Sequence, residues 1–390
     1  MSARRFLPSA SFVSLLFAAF AFPVASAKAA TPAPLASATF AFPGWAYSPP
    51  SAVSAGLAFS DHWLGDGAFE NPAVDVGHGL RATPLLLRVS RQDVASANRN
   101  VTQQQGVVDF GGATLATGFR GWSVALYAWQ PALRVESQAF TIGRAASASP
   151  GGALVTDGSL RELRGGLALA RGIGAWRVGV SGEFVRRDDD YSTIETSGSP
   201  TSGTREVRFS GDGLGGGVGL TWEHRPDERG GVRIGAAVHG VSSIDATGNG
   251  TWSLLTGDST FDVKATRHGF LSGGATARVT VAPATRAFAT LGGRGGETWD
   301  GFDVATNHAW HWGAGVDWRD PELTYAVRFG VGQEGEAGAP ESRVGNVGAG
   351  FTWYSGGTVI DVGLLHRTLP RTGAPTSYED RLLATLRVAF

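Results

Sequence analysis

Residues 310–318 read "WHWGAGVDW" and split cleanly by parity. Trp310, Trp312, Ala314, Val316 and Trp318 fall on one side, and His311, Gly313, Gly315 and Asp317 on the other. A period of two is the mark of a β-strand, whose successive side chains point to opposite faces. Here one face is greasy and the other small or charged. The same division recurs. In 347–353, Val347, Ala349, Phe351 and Trp353 interleave with Gly348, Gly350 and Thr352. In 323–331, Leu323, Tyr325, Val327, Phe329 and Val331 alternate with Thr324, Ala326, Arg328 and Gly330, and in 232–239, Val232, Ile234, Ala236 and Val238 alternate with Arg233, Gly235, Ala237 and His239.

A β-sandwich with one wetted face alternates in this way, and so does a transmembrane barrel. The breaks between strands separate the two. Strands are expected near 83–91, 107–118, 121–130, 158–170, 175–188, 204–223, 231–242, 262–281, 285–294, 307–318, 323–333, 343–354, 357–368 and 379–390, about fourteen in all. The joins alternate between short ("FRG", "GIGA", "RPDERGG", "APAT", "RDPE", "SGG") and long (92–106, 131–157, 189–203, 243–261, 295–306, 334–342, 369–378). An even strand number, with short turns at one rim and long loops at the other, is the pattern of an outer-membrane barrel. The sequence therefore predicts an all-β, antiparallel transmembrane β-barrel.

Composition agrees. Of 390 residues only 17% are charged, below the roughly 25% of soluble domains, and 57 are Gly. The formal charge of −1 offers no basic field for nucleic acid. With no Cys, disulfide frameworks and Cys-based metal sites or nucleophiles are excluded. The N-terminus reads as a secretory leader: Arg4 and Arg5, an apolar stretch from Phe12 to Val24, then Ala25-Ser26-Ala27 as a small-x-small cleavage site. That apolar stretch is too short to span a bilayer, and no later run reaches about 18 apolar residues. The expected division is leader 1–27, an N-terminal segment 28–82 and barrel 83–390.

Trp122, Trp176 and Tyr325 follow short turns, while Trp222, Trp318 and Trp353 precede them. Amphipathic rings at one height are what a membrane interface selects. The chain ends "DRLLATLRVAF", with Leu382, Ala384, Leu386, Val388 and Phe390 on one face and Arg381, Thr385 and Arg387 on the other. This resembles the terminal strand of outer-membrane proteins. The resemblance implies that Phe390 belongs to a signal read by the barrel-assembly machinery.

A barrel of about fourteen strands leaves a lumen that something must plug or line. Some fifty residues precede the first strand in the mature chain, and among them stands "GLAFSDHWLGDGAFENPAVDVG", residues 56–77. Gly56 and Ala58, the acidic Asp61 and Asp66, then Asn71-Pro72-Ala73 shortly before strand one resemble the N-terminal hatch of the FadL/TodX family of outer-membrane transporters. Val74-Asp75 stands where members often carry Gly-Leu. The resemblance implies a bacterial outer-membrane channel for hydrophobic compounds such as long-chain fatty acids, gated by Asp66, Phe69, Asn71, Pro72 and Ala73, with outer-membrane lipid and the assembly machinery as partners. Barrels tied to type IX secretion share a similar Asn-Pro-Ala plug, so a secretion-associated barrel is the alternative. Gly215-Gly216-Gly217 and Gly273-Gly274 fit either strand kinks or lumen positions kept small for the plug.

No Gly-x-Ser-x-Gly, His-Glu-x-x-His or phosphate-binding loop occurs. Asp61-His62, and His308 with Asp300 and Asp303, are the places where hydrolytic chemistry could be sought. His239 and His311 fall on the small, polar parity and read as lumen lining. The expectation is a non-enzyme with no metal or cofactor.

Overall fold

A computed structural model of the chain describes residues 51–65, 67–74, 78–96, 99–141, 153–196, 203–225, 228–254, 257–300, 304–305, 307–322, 324–369 and 377–389. The expected leader, Asp66, Asp303 and Phe390 lie outside the described residues.

The chain forms one antiparallel sheet that closes on itself as a fourteen-stranded barrel. Its strands are β1 (Gly79–Ser96), β2 (Arg99–Asp109, then Gly112–Phe119), β3 (Trp122–Thr141), β4 (Ala153–Ile173), β5 (Trp176–Thr196), β6 (Gly203–His224) and β7 (Val232–Val241, then Ile244–Leu254). They continue as β8 (Gly257–Arg267, then Phe270–Ala282), β9 (Thr285–Arg294, then Thr298–Asp300), β10 (Val304–Ala305, then Ala309–Arg319), β11 (Tyr325–Glu336), β12 (Ala339–Ser355), β13 (Thr358–Leu369) and β14 (Ser377–Val388). Closure comes from β14 against β1, in register from Leu80↔Val388 to Arg91↔Tyr378. With no free edge, the backbone groups of every strand find partners without water.

One rim carries tight turns. Arg120 and Gly121 both have positive φ (50° and 80°), the backbone that suits a two-residue hairpin, and Gly174 (φ 61°) opens the turn before β5. Trp122, Trp176, Tyr325 and Trp353 stand exposed at this rim, with Trp222 and Trp318 half-buried beside them. Neighbouring rings touch, Trp176 with Trp222 at 6.2 Å and Trp318 with Tyr325 at 5.6 Å. Above the rim the outward face is a continuous apolar belt that includes Leu126, Leu167, Val218, Phe329 and Val347, each more than half exposed. A soluble monomer rarely exposes more than a few hundred Å² of contiguous apolar surface. A belt around the whole circumference is stable only in lipid.

At the other rim the strands run well past this belt. The stretches 92–106, 131–157, 189–203 and 243–261 are expected as loops, yet β1 extends to Ser96, β3 to Thr141, β5 to Thr196, and 244–254 pairs with 257–267 as a hairpin. β1 also begins at Gly79 rather than 83. The reason is visible on β6. Leu214 and Val218 point outward, but beyond them Glu206 and Arg208 are outward while Val207 and Phe209 are buried inward. Past the lipid the outer face meets water, so the apolar phase moves to the inner face by one residue. A reader following the greasy parity loses the strand at that point.

Candidate functional site

The bore is where the inward faces and the N-terminal segment meet. Every described residue from Ser51 to Val74 is buried. The segment opens with a one-turn helix, α1 (Ala52–Gly56), capped by Ser51, whose hydroxyl accepts from the Ser54 amide. Phe59 N–H donates to the Ser54 carbonyl at 2.9 Å, the long return bond that ends a helix. The left-handed residues this closure requires are Ala58 (φ 48°) and Phe59 (φ 64°), not glycine. Each costs about 1–2 kcal/mol relative to ordinary backbone, so the surrounding contacts hold them there.

From α1 the segment winds along the inner wall, and the wall makes room with glycines. A Cβ at Gly363 (β13) would fall on the Ala52 carbonyl, one at Gly348 (β12) on that of Ala55, and one at Gly330 (β11) on that of Leu57. At β10, Gly315 faces Ser60; at β8, Gly274 faces the Trp63 indole; at β7, Gly235 faces the Trp63 carbonyl. Gly219 on β6 faces Asn71, and Gly179 on β5 faces Pro72. The segment thus lies flush against the inner wall from β13 round to β5. The glycine clusters resolve accordingly: Gly215 and Gly217 face inward beside Glu183 and His239, Gly274 makes space for Trp63, and neither cluster interrupts its strand. Interruptions lie elsewhere, including Phe110-Gly111, Ser242-Ser243, His268-Gly269 and 295–297, with register shifts that include one between Trp129 and Ala132.

Polar anchors tie the segment to the wall. Ala52 N–H donates to Thr385 Oγ1 (2.9 Å), Trp63 N–H to Thr276 Oγ1 (3.1 Å), and His239 Nε2 lies 2.7 Å from the Glu70 carbonyl. Asn71 works mostly within the segment. Its Nδ2 donates to the Trp63 carbonyl (2.8 Å) and its Oδ1 accepts from Ala73 N–H (2.9 Å), fixing the turn through Pro72 and stapling it to the preceding coil. Phe69 stacks on Trp129 at 4.9 Å and meets Tyr127 edge-on at 5.8 Å. Asn71, Pro72, Ala73 and Phe69 therefore meet on the β3–β7 side of the bore.

Hydrolytic chemistry finds no support in the candidate groups. Ser54 Oγ donates to Asp61 Oδ1 (3.0 Å), while His62 Nδ1 lies 2.8 Å from Glu70 Oε1, so serine and imidazole are engaged separately. Burial pushes the His62 imidazole down to about 3, which leaves it neutral. Asp300 pairs with His268 (2.9 Å) on the exposed outer hairpins. His239 and His311 are buried against the segment, with the His311 ring 5.5 Å from that of His62.

Ionic layers bracket the segment. Toward the tight-turn rim, Arg328 contacts Asp317 (3.1 Å), and Arg387 forks onto Asp361 (2.8 and 2.9 Å). Toward the outer rim, Glu162 binds Arg164 (2.7 Å) and Arg267 (2.8 Å), Arg187 binds Asp189 (2.9 Å) and Glu297, and Arg367 binds Glu334 and Glu379. Beyond that layer Val207, Phe209, Val263, Ala265 and Trp299 close into an apolar cluster. Buried charges are tolerable when paired, and these pairs line the bore.

This closed fourteen-stranded barrel has solved counterparts. A FadL homologue from Pseudomonas aeruginosa aligns at TM-score 0.60 over 90% of this chain and 99% of its own, with 12% identity. The fold is that of the FadL-type outer-membrane channels. The Ralstonia pickettii toluene transporter TbuX aligns at 0.61 over 87% and 98%, with 16% identity, and the Pseudomonas putida toluene transporter TodX at 0.60 over 90% and 99%, with 14% identity. The sequence itself matches no protein-family model and no curated protein. What sequence reading missed was the wall's contribution: Trp129, Tyr127, Thr276 and Thr385, and the glycine path. The glycines did leave a signal, since Gly313, Gly315, Gly348 and Gly350 all stand on the small parity.

Proposed function

We propose that the protein is a bacterial outer-membrane channel for hydrophobic small molecules, with residues 51–74 as a displaceable hatch gated around Phe69, Asn71, Pro72 and Ala73. The observation that carries this reading is the seating of the segment. It follows a wall kept small by glycine, while the barrel closes through its own backbone. Such a segment can move without opening the sheet. The related folds named above include toluene transporters, which supports a substrate of apolar character. An apolar solute gains about 0.8 kcal/mol per buried methylene, so apolar surfaces on either side of an ionic layer can pass it inward. The orientation follows from the rims, with tight turns in the periplasm and long hairpins outside.

The test is deletion of 51–74 from the full-length chain. The barrel is expected to assemble and keep its heat-modifiable mobility. Single-channel conductance should rise, sensitivity to bulky antibiotics should rise with it, and uptake of toluene or of a long-chain fatty acid should change. A rise in conductance with uptake of both compounds unchanged would keep the plug and discard the transporter. Unchanged conductance would discard both.

A further inference from the structure

The N-terminal segment reverses direction at Ala58 and Phe59, and both residues lie in left-handed backbone (φ 48° and 64°). A residue with a Cβ avoids that region because the Cβ crowds the following carbonyl oxygen. The cost is about 1–2 kcal/mol, a disfavour of about five- to thirtyfold at 1.4 kcal/mol per factor of ten. Glycine adopts this backbone freely and is the usual choice where a helix ends in such a turn. Here an alanine and a phenylalanine occupy two consecutive left-handed positions.

Three features keep the turn in this form. Its local bonds are those of a tight reversal: Ala58 N–H donates to the Ala55 carbonyl (3.1 Å), Phe59 N–H to that of Ser54 (2.9 Å) and His62 N–H to that of Phe59 (3.1 Å). The reversal places the Phe59 ring in one apolar cluster with Ala52 and Ala55 of α1 and with Leu86, Leu365 and Leu383 of the wall. Burial against β1, β13 and β14 thus offsets the strain. The wall also leaves no slack. A Cβ at Gly348 on β12 would meet the Ala58 nitrogen at 2.7 Å, and Cβ atoms at Gly313 on β10 and Gly332 on β11 would meet the Ala58 carbonyl oxygen at 3.3 and 3.2 Å. Away from the wall these restraints go together. α1 has five residues, and helices shorter than about 12–15 residues are marginal in water. An unseated segment loses α1 and the ring's cluster, and Ala58 and Phe59 return to ordinary backbone.

We propose that the Ala58–Phe59 turn is a spring: the seated segment stores the strain of two left-handed residues and gives it up on unseating. The proposal rests on the hatch reading and adds the element that sets how readily the hatch opens. The two residues together bring the closed state nearer to balance with the open one, by roughly thirty- to several-hundredfold. A cargo molecule shifts such an equilibrium only by its differential affinity for the two states. With the spring in place it needs that much less of it.

The test makes the same substitution at two positions of one turn. Ala55 and Ala58 are both buried members of the apolar cluster, and glycine at either removes one methyl and frees the unseated chain to the same extent. Ala55 lies within α1, where glycine relieves no strain; at Ala58 it removes the left-handed penalty. Open fractions are read by single-channel recording of the full chain, in the parent and in a Phe69→Ala background that raises the frequency of openings. Ala55→Gly should exceed Ala58→Gly by about five- to thirtyfold, with the normal heat-modifiable barrel in both. Equal open fractions, or a higher one in Ala58→Gly, overturn the spring. Deletion of 51–74 separates the two readings. Conductance raised by the deletion, with equal open fractions in the glycine variants, rejects the spring and keeps the hatch; conductance unchanged by the deletion removes both.

Discussion

Replacing Phe69 by Ala separates a hatch from a structural strut. The ring is 5% exposed, stacked 20° from parallel on Trp129 at 4.9 Å and edge-on to Tyr127 at 5.8 Å. Removing a buried Phe costs about 3–5 kcal/mol through lost contacts and the cavity left behind. Where that cost falls is the question. Tyr127 and Trp129 belong to β3, whose strand pairing on both sides is made by backbone and does not depend on the ring. The loss therefore falls on the equilibrium between seated and unseated segment. At about 1.4 kcal/mol per factor of ten, the unseated fraction rises by roughly two to nearly four orders of magnitude. In planar bilayers the variant should show frequent or sustained openings where the parent is mostly closed, and Trp129→Ala should do the same from the other side. The pair should couple by about 0.5–1.5 kcal/mol in a double-mutant cycle, the usual worth of an aromatic stack. A well-assembled Phe69→Ala barrel with the parent's closed conductance would refute the argument. A loss of heat-modifiable barrel instead would mean that the ring supports the wall.

Three further outcomes follow from the same geometry. Gly363→Val places a Cβ on the Ala52 carbonyl, so it should raise conductance while leaving assembly intact, checked by single-channel recording and gel mobility. Asn71→Ala with Pro72→Ala leaves the Trp63 carbonyl and Ala73 amide unpaired, at about 1–3 kcal/mol for each group, and frees the turn by about 0.4–1 kcal/mol more; the same recordings should show partial opening, weaker than in the deletion. Phe390→Asp, two residues beyond Val388 in sequence, should lower the yield of assembled barrel in outer-membrane fractions, and normal yield would remove Phe390 from the assembly signal proposed for it.

The barrel was legible because lipid imposes a simple rule on one face. In 310–318 the outward residues had to be apolar whatever the lumen needed, so the period of two was undisturbed from Trp310 to Trp318. The same rule explains where legibility ended. Val207 and Phe209 are apolar and inward, Leu214 and Val218 apolar and outward, and the two sets are out of phase although the strand is continuous. Read by hydrophobicity alone, the phase change at 211–213 looks like the end of a strand. It is the edge of the membrane.

The candidate site was legible in part, for a different reason. Asn71-Pro72-Ala73 stands out because its contacts are local: Asn71 stitches together residues two and eight positions away, and such chemistry leaves a compact motif. The seat is the opposite case. Gly363 and Ala52, or Thr385 and Ala52, are separated by more than 300 residues, and a glycine that exists to leave space is identical in sequence to one that permits a turn. The choice between kink and clearance at Gly215–Gly217 and Gly273-Gly274 needed the partner in place. Once it is, the logic reverses usefully. A wall that gives up side chains along one path cannot grip what lies on that path by interlocking packing, so grip concentrates where Phe69 enters the place at which the wall keeps Tyr127 and Trp129. Under the hatch proposal, release would follow from loosening this contact rather than from unzipping an interface.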